Sequence, residues 1–420
     1  MKILFLNQTF NPDVAATAQH LSDLAVTLAD RGHDVTVVCG NRAYDNAGER
    51  YPRREEWRGI DIRRIPSCSF GKTTRLRRAA GFASFFIRCV IELATLPRYD
   101  LVVAMTSPPL ISWLGALFAF LRADRFAFWV MDLNPDEAVA AGWLRADSWA
   151  TKLLGAMLRY SLHRADSVVV LDRFMAERIE AKGIAADKIS VIPPWSHDHI
   201  VRYDLVGREG FRRDNGLDGK YVVMYSGNHS PCHPLTTLLE AARRLAGRQD
   251  IAFCFAGGGS EFKKVQRFAA EHRLKNIVTL PYQPLERLAA SLSSADLHVV
   301  VMGDPFVGLV HPCKVYNIRT LGIPYLYIGP ADSHVSDLGP AFAAQHGDVD
   351  SVVADVIRGA RLRALRVTAA ADSKGHSQDE LVGRMVTTLE HVPVPAAETE
   401  VARPVLGSRR RVSSALSVEP

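Results

Sequence analysis

The sequence has little cysteine and no long apolar run. Its six cysteines among 420 residues lie far apart without a Cys-x-x-Cys pair, which indicates neither a zinc site nor a disulfide framework. The longest uncharged apolar stretch, residues 108–121, is shorter than the ~20 residues of a membrane-spanning helix. The apolar run at the amino terminus is too short for a signal peptide. These absences favour a protein of the reducing cytoplasm that is not exported.

The charge is only mildly basic, with a net value of +6. This suits contact with phosphates, nucleotides or an anionic membrane, and it is too small to indicate nucleic acid, so no nucleic-acid partner is expected. Residues 50–78 hold ten basic and three acidic residues and precede an apolar segment with Phe82, Phe85 and Phe86. The pattern predicts that residues 50–96 rest peripherally on the inner face of the plasma membrane. A solvated basic loop followed by a core helix is the alternative.

Short β-branched or aromatic runs alternate with helical patterns along both halves of the chain. The runs are 3–6, 35–38, 60–65, 101–104, 126–130, 168–171 and 189–192 in the first half, and 221–225, 251–255, 277–280, 297–301 and 325–328 in the second. Strands separated by helices form a parallel sheet with right-handed crossovers. We therefore predict an α/β protein with two doubly wound, Rossmann-like domains facing across a cleft.

A stiff Pro193-Pro194 stretch and a glycine-bearing polar segment separate the two halves. The predicted organisation is a first domain over 1–195, a linker over 196–220, a second domain over 221–370, a helix over 371–392 and a disordered tail over 393–420. No Gly-x-Gly-x-x-Gly motif follows the first strand, which disfavours an oxidoreductase. The predicted two-domain architecture suits an enzyme with two substrates. Binding proteins that close on one ligand have the same architecture.

Carboxylates follow the predicted strand 126–130, in the segment Asp132-Leu133-Asn134-Pro135-Asp136-Glu137. Parallel sheets keep reactive groups at this edge, where a carboxylate can orient an acceptor hydroxyl or take up its proton. Asp132 is the candidate catalytic residue here, and Asp132, Asn134 and Glu137 are the candidate acceptor-binding residues. Turn and helix-capping roles are the alternative for these side chains.

Glycine-bearing loops follow three predicted strands of the second half. Gly227-Asn228-His229 and Gly257-Gly258-Gly259 follow the first two, where free amides contact phosphate or the glycines form tight turns. The third loop contains Gly308 and His311 and runs into a predicted helix with Lys314 in its first turn. A cation there is unfavourable unless an anion is present, so Lys314 is the strongest candidate for holding a diphosphate.

Taken together, several motifs resemble the family 4 glycosyltransferases of the GT-B fold, over about residues 1–390. They are Arg31-Gly32-His33-Asp34-Val35, Arg164-Ala165-Asp166-Ser167-Val168, Val191-Ile192-Pro193, Tyr225-Ser226-Gly227-Asn228, and Pro312-Cys313-Lys314-Val315-Tyr316-Asn317 with Gly322 and Pro324. The sequence looks most like bacterial members that build cell-surface polysaccharides, of the colanic-acid and N-acetylfucosamine-transferase type.

The resemblance implies a nucleotide-sugar-dependent enzyme of the hexosyltransferase type. It would retain the anomeric configuration and use a UDP- or GDP-linked sugar, without a bound metal or other cofactor. The acceptor, a polyprenyl-diphosphate-linked lipid or a glycan, would bind the first domain, and the donor would bind the second. The leaving phosphate oxygen would take up the acceptor's proton.

By position, the resemblance also implies a set of site residues. The donor-binding residues that it implies are Gly227, Gly258, Tyr282, Gln283, Lys314 and Asn317. The glycine-bearing loops themselves add Asn228, His229, Gly308 and His311 to the predicted donor site. Of the implied residues, Gly227, Gly258 and Lys314 would contact the diphosphate, Tyr282 and Gln283 the base, and Asn317 the ribose. Asp132 would face the reacting sugar. Asp132 and Lys314 are the predicted catalytic residues.

Many family members have glutamates at two positions around the predicted helix of Lys314. In this sequence Asn317 occupies one of these positions, and Leu309 or one of its neighbours occupies the other. We hypothesise that His229 or His311 takes over contacts to the donor sugar or its phosphate. Two alternative functions stand beside transfer. One is a nucleotide-sugar epimerase of the same architecture, and the other is a catalytically silent partner of another transferase.

Overall fold

The fold is that of a computed structural model, which describes residues 1–13, 15–43, 48–66, 75–196, 201–362 and 377–393, with the backbone alone for residues 75–83. Two sheets are each flanked by helices, and each has its own apolar core. The α/β class and the two Rossmann-like domains predicted from the sequence are confirmed.

The first sheet has eight described strands in the order β3-β4-β2-β1-β5-β6-β7-β8. Neighbouring strands are parallel, except that β3 runs antiparallel to β4. The strands are β1 (Lys2–Leu6), β2 (Asp34–Gly40), β3 (Arg54–Trp57), β4 (Ile60–Ile65), β5 (Tyr99–Ala104), β6 (Ala123–Trp129), β7 (Ser167–Val170) and β8 (Ile189–Val191). The central strands are nearly continuous apolar runs because helices cover both faces of the sheet.

The described part of the first half has six helices beside this sheet: α1 (Ala16–Asp30), α2 (Arg75–Ala94), α3 (Ile111–Arg122), α4 (Asp136–Ala140), α5 (Trp149–Arg164) and α6 (Arg173–Glu180). Helix α1 buries Leu21, Leu24 and Leu28 against the sheet, as their helical spacing predicts. Helix α3 lies against β5 and β6 and also packs on α5. Within the described ranges, none of the helices combines the length and apolar character needed to span a bilayer.

The second sheet has six described strands, all parallel, in the order β11-β10-β9-β12-β13-β14. They are β9 (Tyr221–Asn228), β10 (Ile251–Gly258), β11 (Ile277–Leu280), β12 (Leu297–Val301), β13 (Tyr325–Ile328) and β14 (Phe342–Ala344). The order reverses beside β9, in the same way that it reverses beside β1 in the first sheet. Ligands of doubly wound sheets bind at the carboxyl ends of strands near such a reversal.

The remaining helices are α7 (Leu205–Asp214), α8 (Thr236–Arg244), α9 (Phe262–Glu271), α10 (Leu285–Ser293), α11 (Lys314–Thr320), α12 (His334–Asp337), α13 (Val349–Leu362) and α14 (Gln378–Glu390). Helix α7 lies in the predicted linker and packs against α10 of the second domain. Helix α14 returns to the first domain, where Leu381, Met385 and Leu389 join its core beside α1. The predicted tail, from residue 394 onward, lies outside the described residues.

The carboxyl ends of the two sheets face each other, and hydrogen bonds join the segments that follow them. The Leu133 amide, after β6, donates to the Leu309 carbonyl at 2.8 Å. The Arg178 guanidinium on α6 donates to the Val307 carbonyl at 2.6 Å. The segment between β12 and α11 therefore rests on loops of the first domain, and the predicted cleft is confirmed.

Strand β3 was not predicted, because its sequence, Arg54-Glu55-Glu56-Trp57, is mostly charged. It is an edge strand, where charged side chains are well tolerated. A two-residue turn joins it to β4, with positive φ at both Arg58 (50°) and Gly59 (75°). The predicted basic loop before α2 is thus partly a β-hairpin.

Candidate active site

Lys314 is the first residue of α11. Pro312 lies just before this helix, so the helix starts later than the sequence predicted, although Lys314 does fall in its first turn. The Lys314 Nζ is closed off from solvent and has no hydrogen-bond partner among the described residues. It sits 3.6 Å from the centre of the Tyr225 ring. Burial lowers the pKa of this lysine from 10.5 to about 7. A buried ammonium with only a ring face beside it is a binding group for an anion.

Two glycines at the ends of β9 and β10 make room for side chains of the predicted donor site, Gly227 for Lys314 and Gly258 for Tyr282. A Cβ on Gly227 would lie 3.2 Å from the Lys314 Nζ, and Gly227 also has a φ of +123°, which disfavours other residues. A Cβ on Gly258 would lie 2.8 Å from the Tyr282 ring. The Tyr282 hydroxyl donates to the Gly258 carbonyl at 3.4 Å, and its side chain is exposed. The structure therefore brings the predicted diphosphate and base residues together at one edge of the second sheet.

His229 lies next to the Gly227 loop and is fully buried. Its Nδ1 donates to the Gly227 carbonyl at 2.9 Å, and its ring packs on Tyr225 and Phe262. Burial, together with the nearby Lys314, lowers the pKa of this imidazole to about 4. His229 is therefore neutral near pH 7 and brings no positive charge to a phosphate. In this geometry the His229 side chain fixes the backbone at Gly227.

His233 is a second imidazole near Lys314, and sequence reasoning missed it. Its Nδ1 donates to the Val301 carbonyl at 2.7 Å. Burial, Lys314 and His229 together lower its pKa to about 3, although the bond to Val301 opposes the shift. A lone histidine four residues after His229 carries no signal in the sequence, since only the fold places it beside Lys314.

Asp132 lies between β6 and α4, and Glu137 lies in the first turn of α4, at the carboxyl edge of the first sheet. Burial raises the pKa of Asp132 from 3.8 to about 8, and the Glu137 carboxylate adds to this effect. Burial also raises the pKa of Glu137, although the Asn134 amide opposes this by donating to Glu137 Oε2 at 2.8 Å. Two half-buried carboxyls with pKa values pushed toward neutrality are typical of a reacting site.

These carboxyls belong to the cleft, because residues of the second domain lie beside them. The Cys232 thiol donates to Glu137 Oε1 at 3.6 Å. Burial raises the pKa of both Cys232 and Cys313 to about 12, and the Asp132 carboxylate contributes to both shifts. Cys313 directly precedes Lys314. The structure thus brings the predicted acceptor side chains and the loop before α11 to the same region.

His311 is buried at the domain interface, with both ring nitrogens engaged. Its Nδ1 donates to Asp172 Oδ2 at 2.7 Å, and its Nε2 pairs with the Tyr316 hydroxyl at 2.7 Å. Burial alone would raise the pKa of Asp172. The hydrogen bond from His311 and the nearby His334 outweigh this effect, so the pKa lies below its usual value. In this arrangement neither ring nitrogen of His311 is free for the donor. The geometry therefore favours contact between the domains over the predicted contact with the donor sugar.

Asp172, His311 and His334 each offer one potential metal ligand, and these three atoms lie within 4.8 Å of one another. However, the two imidazole rings are stacked, with centroids 3.8 Å apart and planes 15° apart. The lone pair of an imidazole nitrogen lies in the ring plane, so two parallel rings do not aim theirs at one point. A metal ion would require one ring to turn. The expectation of a metal-free reaction stays a prediction.

The remaining predicted donor residues lie around this site. Gly308 packs on α6, where a Cβ would lie 2.6 Å from the Phe174 carbonyl oxygen, so it serves contact between the domains. Asn228 ends β9 and is exposed, and its carbonyl accepts the Tyr225 hydroxyl at 2.8 Å. Gln283 follows Tyr282 and donates to the Pro281 carbonyl at 2.9 Å. Asn317 lies on α11, close to one turn beyond Lys314.

Two facing Rossmann-like domains with a buried lysine at the start of a helix in the second define a GT-B type protein. Family models agree with this architecture. The glycosyl transferase 4-like domain matches residues 16–195, and the glycosyl transferases group 1 domain matches residues 207–308. The chain is a glycosyltransferase of the GT-B fold and of the family 4 type. The comparisons do not favour the epimerase or the silent partner.

Two relatives with similar sequences are also named as glycosyltransferases. The chain is 26% identical over 377 residues to the colanic acid biosynthesis glycosyl transferase WcaI of Escherichia coli, covering 85% of this chain and 91% of WcaI. It is also 26% identical over 241 residues to the glycosyltransferase WbjE of Pseudomonas aeruginosa, covering 57% of this chain and 60% of WbjE.

Solved structures support the fold. HepE of Anabaena, in complex with UDP and glucose, superposes with a TM-score of 0.67 at 16% identity and covers 93% of this chain and 99% of HepE. WaaG, a glycosyltransferase involved in lipopolysaccharide biosynthesis, superposes with a TM-score of 0.65 at 15% identity, covering 93% and 100%.

Proposed function

We propose that this glycosyltransferase moves a sugar, with retention of configuration, from a nucleoside-diphosphate sugar to a lipid-linked or saccharide acceptor in bacterial cell-surface polysaccharide synthesis. The observation that carries the proposal is the Lys314 ammonium, buried beside Gly227 without a partner among the described side chains. The names of WcaI and WaaG support the polysaccharide role, and the UDP in HepE supports a nucleotide donor.

The donor diphosphate would bind between Lys314 and the backbone at Gly227. Leaving-group departure places more negative charge on the phosphate in the transition state than in the ground state. A preorganised ammonium in a site closed to water stabilises that charge strongly. The exposed Tyr282 ring offers a stacking face for the base, and Asn317 offers an amide to the ribose. No resident cofactor takes part in this proposal.

On the acceptor side, the ionised Asp132 would accept a hydrogen bond from the attacking hydroxyl and orient it. The acceptor oxygen bonds to the anomeric carbon on the face that the phosphate leaves, and the bond between that carbon and the phosphate oxygen breaks. The departing phosphate oxygen takes the hydroxyl proton. With a pKa of about 8, the Asp132 carboxyl becomes ionised as the pH rises through about 8, so this interaction with the hydroxyl strengthens above neutral pH.

Release of nucleoside diphosphate tests the activity. We expect the purified protein to release UDP or GDP from the matching nucleotide sugar only when acceptor is supplied. An epimerase would convert the sugar without release, and a silent partner would leave every nucleotide sugar unchanged. Either result would contradict the proposal.

We also propose that helices α2, α3 and α5 rest on the anionic inner face of the plasma membrane. Large apolar side chains on these helices are at least half exposed: Ile87, Val90, Ile91, Phe120, Leu121, Trp149 and Leu153. The same helices expose basic side chains: Arg88, Arg122, Lys152, Arg159 and Arg164. Helices α3 and α5 contain no acidic residue, so the surface has the charge that anionic lipid attracts.

Ion pairs in the β3–β4 hairpin favour these helices over the basic residues 50–78 as the proposed membrane surface. In the β3–β4 hairpin, Arg54 and Arg63 pair with Glu92, and the buried Arg64 pairs with Glu55. Three of the ten basic residues of 50–78 therefore pair with carboxylates within the fold. Residues 67–74 of the predicted segment lie outside the described residues.

Vesicle flotation tests the membrane proposal. We expect wild-type protein to float with phosphatidylglycerol vesicles, and the double variant Phe120→Glu/Trp149→Glu to lose most of this binding. The exposed Val206 on α7 supplies the matched control, Val206→Glu, which should float like wild type. Equal flotation of the double variant, or no flotation of wild type, would contradict this surface.

A further inference from the structure

Asp172 of the first domain is held rigidly by its own helix. It caps the start of α6, where its Oδ1 accepts the Met175 amide at 2.8 Å. Its other oxygen, Oδ2, accepts the His311 Nδ1 proton at 2.7 Å. The carboxylate thus joins the first domain to the loop before α11.

His311 extends this connection to α11. Its Nε2 and the Tyr316 hydroxyl are 2.7 Å apart, and the two rings are stacked 5.6 Å apart with planes 7° apart. Tyr316 lies two residues after Lys314 on the same short helix and is buried. Two hydrogen bonds in series therefore lead from α6 of the first domain to the helix that begins with Lys314.

The surroundings keep His311 in place. The His334 ring stacks on it, with centroids 3.8 Å apart. Ser333, which caps the helix of His334, donates to the Tyr327 hydroxyl at 2.8 Å. Because His311 is enclosed in this way, a displacement of Asp172 is transmitted to Tyr316 rather than absorbed by rotation of the imidazole.

We propose that Asp172, His311 and Tyr316 form a positioning chain through which the first domain sets the place of Lys314 at the donor diphosphate. These residues do not touch the donor, yet Asp172, in the acceptor domain, determines donor affinity. The inference rests on the proposed function, because it takes the diphosphate to bind at Lys314. It goes beyond that function by assigning control of the donor site to a residue of the opposite domain.

A double-mutant cycle on nucleotide affinity tests the chain. Tyr316→Phe removes only the hydroxyl, and Asp172→Asn keeps an oxygen for the α6 cap while removing the charge. We expect each variant to weaken binding of UDP, or of GDP if that is what wild type binds, by about 3–10-fold. The double variant should bind no more than about twofold weaker than the weaker single variant, because either change interrupts the same series of bonds.

Two controls separate positioning from general loss of structure. Tyr99→Phe removes another tyrosine hydroxyl in a buried setting, which donates to Thr36 within the first domain at 3.2 Å. Arg173→Gln removes ion pairs to Asp332 and Asp337 that also cross between the domains. Both should leave nucleotide affinity within twofold of wild type, even where thermal stability falls.

The outcomes are distinct. Unchanged affinity in both Tyr316→Phe and Asp172→Asn, or fold-losses that multiply in the double variant, would overturn the positioning chain while leaving the donor site intact. An equal loss in Arg173→Gln would also overturn it, because any weakening of the interface would then suffice. If wild type binds no nucleoside diphosphate, the proposed function fails and this inference fails with it.

Discussion

Replacing Lys314 with methionine should stabilise the unliganded protein while destroying its nucleotide site. Methionine is unbranched like lysine and one atom shorter, and it removes the charge that is buried against Tyr225. Burial lowers the pKa of Lys314 from 10.5 to about 7. At ~1.4 kcal/mol per pKa unit, holding the ammonium in this site costs on the order of 5 kcal/mol below pH 7. Replacing a buried unpaired charge by an apolar group removes that cost.

The sign of the pH dependence follows from the direction of this shift. Since the folded-state pKa lies below that of the unfolded chain, the unfolded chain binds the extra proton between about pH 7 and pH 10.5. Wild-type stability therefore gains from Lys314 deprotonation as pH rises through this window. The advantage of Lys314→Met should be largest at pH 6.5 and should shrink toward pH 9.5.

Scanning calorimetry without ligand is the assay. At pH 6.5 the midpoint of the second domain should rise by roughly 10–20 °C in Lys314→Met, at ~2–4 °C per kcal/mol for a domain of this size. The exposed Lys263 on α9 supplies the matched control, Lys263→Met, which should change little. With saturating UDP or GDP, the wild-type midpoint should rise and that of Lys314→Met should not. A lower midpoint for Lys314→Met at pH 6.5 would refute the reasoning, because the ammonium would then have a stabilising partner.

Three further outcomes follow from the site. Asp132→Asn should lower kcat by about 100-fold at saturating donor. It should also abolish the rise of kcat as the pH increases through about 8, measured as a pH–rate profile. An unchanged profile would contradict the role of Asp132. Tyr282→Ala should weaken nucleoside diphosphate binding about 10-fold in calorimetry, because stacking on a base contributes ~1–3 kcal/mol, whereas Tyr282→Phe should bind like wild type; equal losses would exclude stacking. Binding at pH 8 should take up close to one proton as Lys314 becomes charged, seen as a binding enthalpy that depends on the buffer; the same enthalpy in phosphate and Tris would count against it.

The sequence predicts most of the fold, because buried parallel strands are continuous apolar runs. Strands β1 and β9 are examples, and both lie where the sequence places them. Two strands escape this signal. Strand β3 is charged because it lies at an edge, and β14, Phe342–Ala344, has only three residues. Apolar pattern reports burial, so it misses the charged β3. Length alone does not explain β14, because β8 also has three residues and is predicted.

The candidate site is less accessible from sequence, because its contacts join distant residues. Lys314 and Gly227 stand out as residue types in unusual places, and the fold does bring them together. The partner of His311 is Asp172, 139 residues away in the other domain, and no local pattern predicts such a pair. His311 therefore looked like a donor ligand, whereas its ring nitrogens bond to Asp172 and Tyr316.

The most direct measurement of the central claim is a crystal structure of the protein soaked with UDP or GDP. The account predicts a phosphate oxygen within hydrogen-bonding distance of the Lys314 Nζ, with the diphosphate against the backbone at Gly227. A diphosphate bound elsewhere, with Lys314 still buried against Tyr225 and unpaired, would contradict it.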